Sequence, residues 1–197
     1  MSEIAIFGGG FDPISLHHER MAEETGMATW TMPCWGHKFS KNSRLIPAHH
    51  RWAMTILTAN FRNDGVIVPF DWEIKHQHSG SMYETISALK QEFPQHRFHI
   101  VIGMDNANLI LEKWDRGNIL IQENPFIVFG RGEQKADWFL NSPHKFIQKD
   151  GEGSSTAFRE AIQAKNNEVA RTMVNEAVWD YVCRHNLYGF ESCQNTN

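Results

Sequence analysis

A continuous apolar run, Ile4-Ala5-Ile6-Phe7, stops at Gly8-Gly9-Gly10, and a helical pattern follows from Ser15 to about Gly26. An unbroken apolar run closed by glycine reads as a strand buried on both faces. Such a strand needs helices above and below it, and the chain supplies them by alternation. Further strands are expected at residues 29–34, 66–68, 98–102, 126–129 and 145–148. Helical patterns fall at 48–61, with Trp52, Ile56 and Ala59 on one face, and at 81–93, with Ile86, Leu89 and Phe93 on the apolar side. They continue at 106–114, 155–164 and 168–185, while the polar stretch 36–47 reads as a loop. Alternating strands and helices predict an α/β doubly wound, mostly parallel sheet with helices on both faces. At 197 residues the chain is expected to form a single domain over 1–188, with a short polar tail at 189–197. In such sheets ligands bind beyond the carboxyl ends of the strands, at the switch point. The loops after strands one, two, four and six are therefore the place to look.

Composition narrows the function classes. Lys and Arg total 19 against 23 Asp and Glu, a formal net charge of −4, so no nucleic-acid partner is expected. No apolar run approaches the ~18 residues of a membrane span, and the first ten residues lack a signal-peptide pattern. Cys34, Cys183 and Cys193 stand far apart, which argues against a zinc knuckle and a disulfide framework. A cytoplasmic location is the expectation.

The loop Gly8 to His18, GGGFDPISLHH, carries the sharpest signal. Glycines admit a close ligand, and a helix start beyond them attracts anions. Pro13 excludes the dinucleotide fingerprint, and no Lys-Ser or Lys-Thr follows to make a Walker loop. Ser15 and His18 are three apart, hence on one helix face, where a hydroxyl and an imidazole can face a phosphate. Taken singly, Ser15 also reads as a helix cap and His18 as a packed histidine. A second segment, Ser154-Ser155-Thr156 with Arg159 three residues on, offers hydroxyls, helix-start amides and a guanidinium. Two anion-binding helix starts far apart in sequence suit one polyphosphate.

The first loop resembles the G-G-x-F-D-P-x-H-x-G-H motif of the nucleotidyltransferase superfamily, and of nicotinamide/nicotinate mononucleotide adenylyltransferases in particular. Gly8, Gly9, Phe11, Asp12, Pro13 and His18 match; Ser15 replaces the first His and His17 the Gly, as eukaryotic members do with a hydroxyl residue and a non-glycine. Ser154-Ser155-Thr156-x-x-Arg159 resembles the second motif, S-S-T-x-x-R. The likeness runs over roughly residues 3–188 and implies a Rossmann-like fold. It implies adenylyl transfer from ATP to nicotinamide or nicotinate mononucleotide, giving NAD or its deamido form in NAD biosynthesis. His18 and Arg159 would be catalytic. Gly8, Gly9, Gly10, Phe11, Ser15, Gly103, Asp105, Ser154, Ser155 and Thr156 would complete the ATP site. Lys38, Lys41, Trp72, Glu73, Thr85, Trp114 and Arg131 would serve the mononucleotide. Asp105 also reads as a helix cap, and Trp72 and Trp114 as core residues. Mg²⁺ would come with ATP, with no metal ligands from protein side chains. The eukaryote-like Trp72-Glu73 pair leans towards nicotinamide or dual use. A phosphopantetheine adenylyltransferase and a non-catalytic nucleotide sensor remain open alternatives, as does a homo-oligomer.

Overall fold

The computed structural model describes residues 2–36, 45–78, 80–130, 133–148 and 154–191. Six parallel strands form one sheet in the order β3-β2-β1-β4-β5-β6. They are β1 (Ser2–Gly9), β2 (Thr29–Pro33), β3 (Ile67–Pro69), β4 (His96–Gly103), β5 (Phe126–Gly130) and β6 (Lys145–Gln148). The helices are α1 (Leu16–Glu24), α2 (Ala48–Arg62), α3 (Trp72–Lys75), α4 (Met82–Glu92) and α5 (Met104–Lys113). There follow α6 (Gly117–Glu123), α7 (Ser155–Gln163), α8 (Asn167–Arg171) and α9 (Glu176–Arg184), with single 3₁₀ turns at Trp138–Leu140 and Leu187–Gly189. This is the doubly wound α/β architecture read from the alternation, and every pairing in it is parallel.

Strand alternation divides the core. In β1, Ala5 and Phe7 face a cluster containing Phe158, Val178 and Val182 of α7 and α9. Ile4 and Ile6 face the opposite cluster, with Leu89 of α4 and Ile110 of α5. A strand covered on both sides is why Ile4 to Phe7 reads as an unbroken apolar run. The sequence order reverses between β1 and β4, so the loops after these two strands open side by side.

Three local expectations are corrected. In α2 the buried face is Arg51, Met54, Thr55 and Thr58, not Trp52, Ile56 and Ala59, which are half-buried. The polar residues are tolerated because each is bonded: Thr55 Oγ1 donates to the Arg51 carbonyl at 3.0 Å, and Thr58 Oγ1 accepts from Asn175 Nδ2 at 3.0 Å. The expected helix at 168–185 is two, because Asn175 caps α9 by accepting from the Val178 amide at 3.0 Å. Two short helices, α3 and α6, lie where no helical repeat is long enough to see. Trp138 and Phe139 belong to the second core cluster, Phe139 fully buried. No helix among the described residues is long and apolar enough to cross a membrane.

Candidate active site

The first two glycines of the loop lie within β1, opposite Met32 and Pro33 of β2. None of Gly8, Gly9 and Gly10 has a positive φ, and a Cβ on Gly8 would meet the flexible end of Met82, Cε at 2.9 Å, which can move aside. The left-handed backbone falls instead on Phe11, at φ 46°, whose buried ring meets His18 edge-on with centroids 5.1 Å apart.

Ser15 takes a different place from the one expected. Its side chain is fully buried, and its hydroxyl lies 2.9 Å from His18 Nδ1 rather than facing a phosphate. The Ser15 backbone N–H also donates to Nδ1, at 3.1 Å. An atom that accepts from an amide carries no proton, so the neutral ring holds its proton on Nε2. Ser15 therefore orients His18 and fixes its tautomer, because the residue that starts a helix meets the third residue of the first turn.

His18 lines a cleft shared by the first loop and the Ser154–Thr156 segment. Its walls include Gly8, Gly9, Gly10, Phe11 and His17 from the first loop, Gly103, Asp105 and Asn106 after β4, and Ser154, Ser155 and Thr156 before and in α7. Ser154 caps α7 by accepting from the Ala157 amide at 3.1 Å, and Ser155 Oγ donates to the Pro13 carbonyl at 2.9 Å. Arg159 is not on the cleft wall itself; it reaches the wall residue Thr156, Nη2 donating to Thr156 Oγ1 at 3.2 Å, while Nη1 donates to the Asp12 carbonyl at 2.6 Å. The two segments, about 140 residues apart, are thus joined by side-chain bonds at one place. Gly103, not Asp105, is the N-cap of α5; Asp105 is exposed in the first turn.

A second cavity adjoins the first across the same glycines. It is lined by Gly8, Gly9, Gly10, Cys34, Gly36, Glu73, Gly80, Met82, Asn106, Trp114 and Asp115. Glu73 and Trp114 are thus placed together, but Trp72 and Thr85 are not on its wall. Trp72 turns to the side: its Nε1 donates to Glu92 at 3.0 Å and its ring lies against His76. Neighbours in a helix point about 100° apart, so α3 can aim only one of the Trp-Glu pair inwards. Thr85 is fully buried behind Glu73 and donates to its Oε1 at 3.4 Å. Lys38, Lys41 and Arg131 lie outside the described residues. Cys34, Met82, Asn106 and Asp115 were missed, since none belongs to a motif that can be read locally.

Arg51 was not assigned a role at the site, yet it organises the site floor. It is 1% exposed, and its guanidinium donates to three carbonyls: Gly10 at 2.9 Å, Ile46 at 3.1 Å and Trp35 at 3.2 Å. Its place on the buried face of α2 was the available signal, hidden because an arginine seldom marks a core face.

Burial pushes the Glu73 carboxyl up to about 7, against smaller opposing effects from Thr85, the Trp35 amide and Arg51. Its Oε2 is buried without a hydrogen-bond partner among the described residues. A raised acid binds its proton more tightly when folded, so this contribution to stability is present below about 4.5 and lost as pH rises through about 7. Glu73→Gln is expected to stabilise the fold at pH 8 by on the order of 2 kcal/mol and to change little at pH 4.5. Urea denaturation at both pH values checks this; an equal effect at the two would remove the titration as its cause.

Comparison with known proteins agrees with this geometry. The family model described as cytidylyltransferase-like matches residues 6–161. A probable nicotinate-nucleotide adenylyltransferase of Oceanobacillus iheyensis is 32% identical, over 96% of this chain and 98% of its own. One from Flavobacterium johnsoniae is 26% identical, over 94% and 98%. Plasmodium falciparum nicotinic acid mononucleotide adenylyltransferase, solved with NaAD, superposes with a TM-score of 0.81 at 25% identity, over 97% of this chain and 99% of that one. Its complex with APC gives 0.79 at 26% identity. The match over residues 6–161 spans the sheet, the glycine loop and the Ser154–Arg159 segment, and the chain belongs to the cytidylyltransferase-like family.

Proposed function

We propose that this protein is an enzyme that transfers the adenylyl group of ATP to a pyridine mononucleotide, releasing pyrophosphate and forming a dinucleotide of NAD biosynthesis. The single observation that carries this is the pair of cavities meeting at Gly8–Gly10, one flanked by His18 and Ser154–Thr156, the other by Glu73 and Trp114. Two substrates in those cavities would meet at the glycine amides. The mononucleotide phosphate would attack the α-phosphorus in line, and pyrophosphate would leave towards α7. Such a transfer needs positioning and charge neutralisation rather than a protein nucleophile. The Nε2–H of His18 is the donor suited to charge developing on the phosphates, and Arg159 with Thr156 to the leaving pyrophosphate. Among the described residues no three His, Cys, Asp or Glu side chains cluster as a metal site. Asp105 puts a carboxylate on the cleft wall, and a Mg²⁺ carried by ATP would neutralise phosphate charge there.

The relatives' names favour nicotinate over the nicotinamide or dual use that the Trp-Glu pair suggests. Pyrophosphate release with ATP and nicotinate mononucleotide, nicotinamide mononucleotide or phosphopantetheine in turn tests the reading. Turnover with nicotinate mononucleotide is expected to exceed the others. Turnover with phosphopantetheine alone, or ATP binding with no turnover, would overturn the proposal.

Arg159→Ala is expected to raise the KM for ATP by about tenfold or more and to lower kcat, the scale of one charge-assisted hydrogen bond. Steady-state kinetics with varied ATP checks it; unchanged constants would remove Arg159 from the phosphate site.

A further inference from the structure

The carboxylate of Asp12 is a joint between segments that meet only in the folded chain. It is 3% exposed and lies between Phe11, on the cleft wall, and Pro13, whose carbonyl holds Ser155. Its Oδ1 accepts from Tyr188 Oη at 2.9 Å, and its Oδ2 lies 3.8 Å from Arg159 Nη1. The Ile46 amide, just before α2, and the charge of Arg51 in α2 both favour its charged form. The Tyr188 ring stands edge-on to Phe158, the residue before Arg159 in α7, with centroids 5.6 Å apart. The backbone of Tyr188 is left-handed, φ 60° and ψ 15°, a conformation that residues with a Cβ adopt only when packing or bonding holds them there. One side chain from the last turn of the fold therefore touches both anion-binding segments.

We propose that Tyr188 is a positioning residue for polyphosphate binding: its hydroxyl holds Asp12, and Asp12 holds the first loop against the start of α7. Tyr188 is not on the cleft wall, so it acts through Asp12 and Arg159 rather than on the phosphates. Burial and the neighbouring Asp12 charge both push its phenol up, so it remains a donor at neutral pH. Burial raises the Asp12 carboxyl, and the Tyr188 hydrogen bond, Arg159, the Ile46 amide and Arg51 oppose that rise. Removing the hydroxyl takes away a donor that favours the charged carboxylate, so Asp12 should then protonate at higher pH.

This inference rests on the reading that ATP occupies the His18 cleft, and its test separates the two. Tyr188→Phe keeps the ring against Phe158 and removes only the hydroxyl. Calorimetry with a non-hydrolysable ATP analogue should show about three- to tenfold weaker binding than wild type, the range for one hydrogen bond. Kinetics should show the KM for ATP rising by the same factor, that for the mononucleotide unchanged, and the acid limb of kcat/KM for ATP displaced to higher pH. Phe158→Leu, which disturbs packing and spares the hydroxyl, should leave that limb in place. Equal analogue affinity and an unmoved acid limb in Tyr188→Phe would overturn the positioning role, as would the same limb displacement in Phe158→Leu. A wild-type protein that fails to bind the analogue would overturn the reading of the cleft itself, and this inference with it.

Discussion

His18→Ala is expected to lower kcat by about 10²-fold or more, the scale of losing one preorganised donor to developing charge. The expectation is specific because Nδ1 is already committed: it accepts from the Ser15 amide at 3.1 Å and sits 2.9 Å from the Ser15 hydroxyl. The ring thus meets the cleft with a fixed tautomer and a fixed plane, and Phe11 packs against it to restrict rotation. Nothing need reorganise during the transfer, which is the condition under which a single donor contributes several orders of rate. The KM for the mononucleotide should change much less, since His18 lines the first cavity and not the second. Steady-state pyrophosphate release is the measurement. A loss below about threefold would remove His18 from charge stabilisation.

The second large effect is on stability. Arg51→Met should cost about 3–5 kcal/mol, because a buried charge is removed and three carbonyls lose the donor it supplies. Those carbonyls belong to Gly10, Trp35 and Ile46, so one substitution frees the glycine loop, the segment after β2 and the entry to α2 together. At this chain length that loss corresponds to a fall in Tm of roughly 6–20 °C. Arg51→Lys should recover only part of it, since an ammonium cannot direct planar donors to three separated carbonyls. Thermal and urea denaturation of both variants decide the matter. A loss under about 1 kcal/mol for Arg51→Met would mean that water takes over the three carbonyls.

The local motifs were readable because each rests on residues close in sequence. Ile4 to Phe7 is apolar throughout because β1 is covered on both sides, and the glycines after it mark the carboxyl end of the strand, where both cavities open. Ser15 and His18 share a face because a helix turn brings them together, and Ser154 precedes its helix as a cap. What each pair does was less legible. Ser15 reads as a phosphate ligand until its burial shows the hydroxyl committed to His18. Trp72 reads as a stacking ring until the turn of α3 sends Glu73 inwards in its stead. The buried face of α2 was misjudged because hydrophobicity marks a core only where the core is not also a hydrogen-bonding hub.

The amino-acid order alone determined the alternation of strands and helices, and with it a parallel sheet whose ligand loops lie at the carboxyl edge. It also determined the two helix starts at Ser15 and Ser154, since capping is a property of a few adjacent residues. Only the tertiary structure decided that Asp12, Arg159 and Tyr188 form one joint, that Arg51 ties three loops, and that two cavities meet at Gly8–Gly10. Those contacts join residues up to 176 positions apart, and no local pattern encodes which distant groups will satisfy a buried carboxylate or a buried guanidinium.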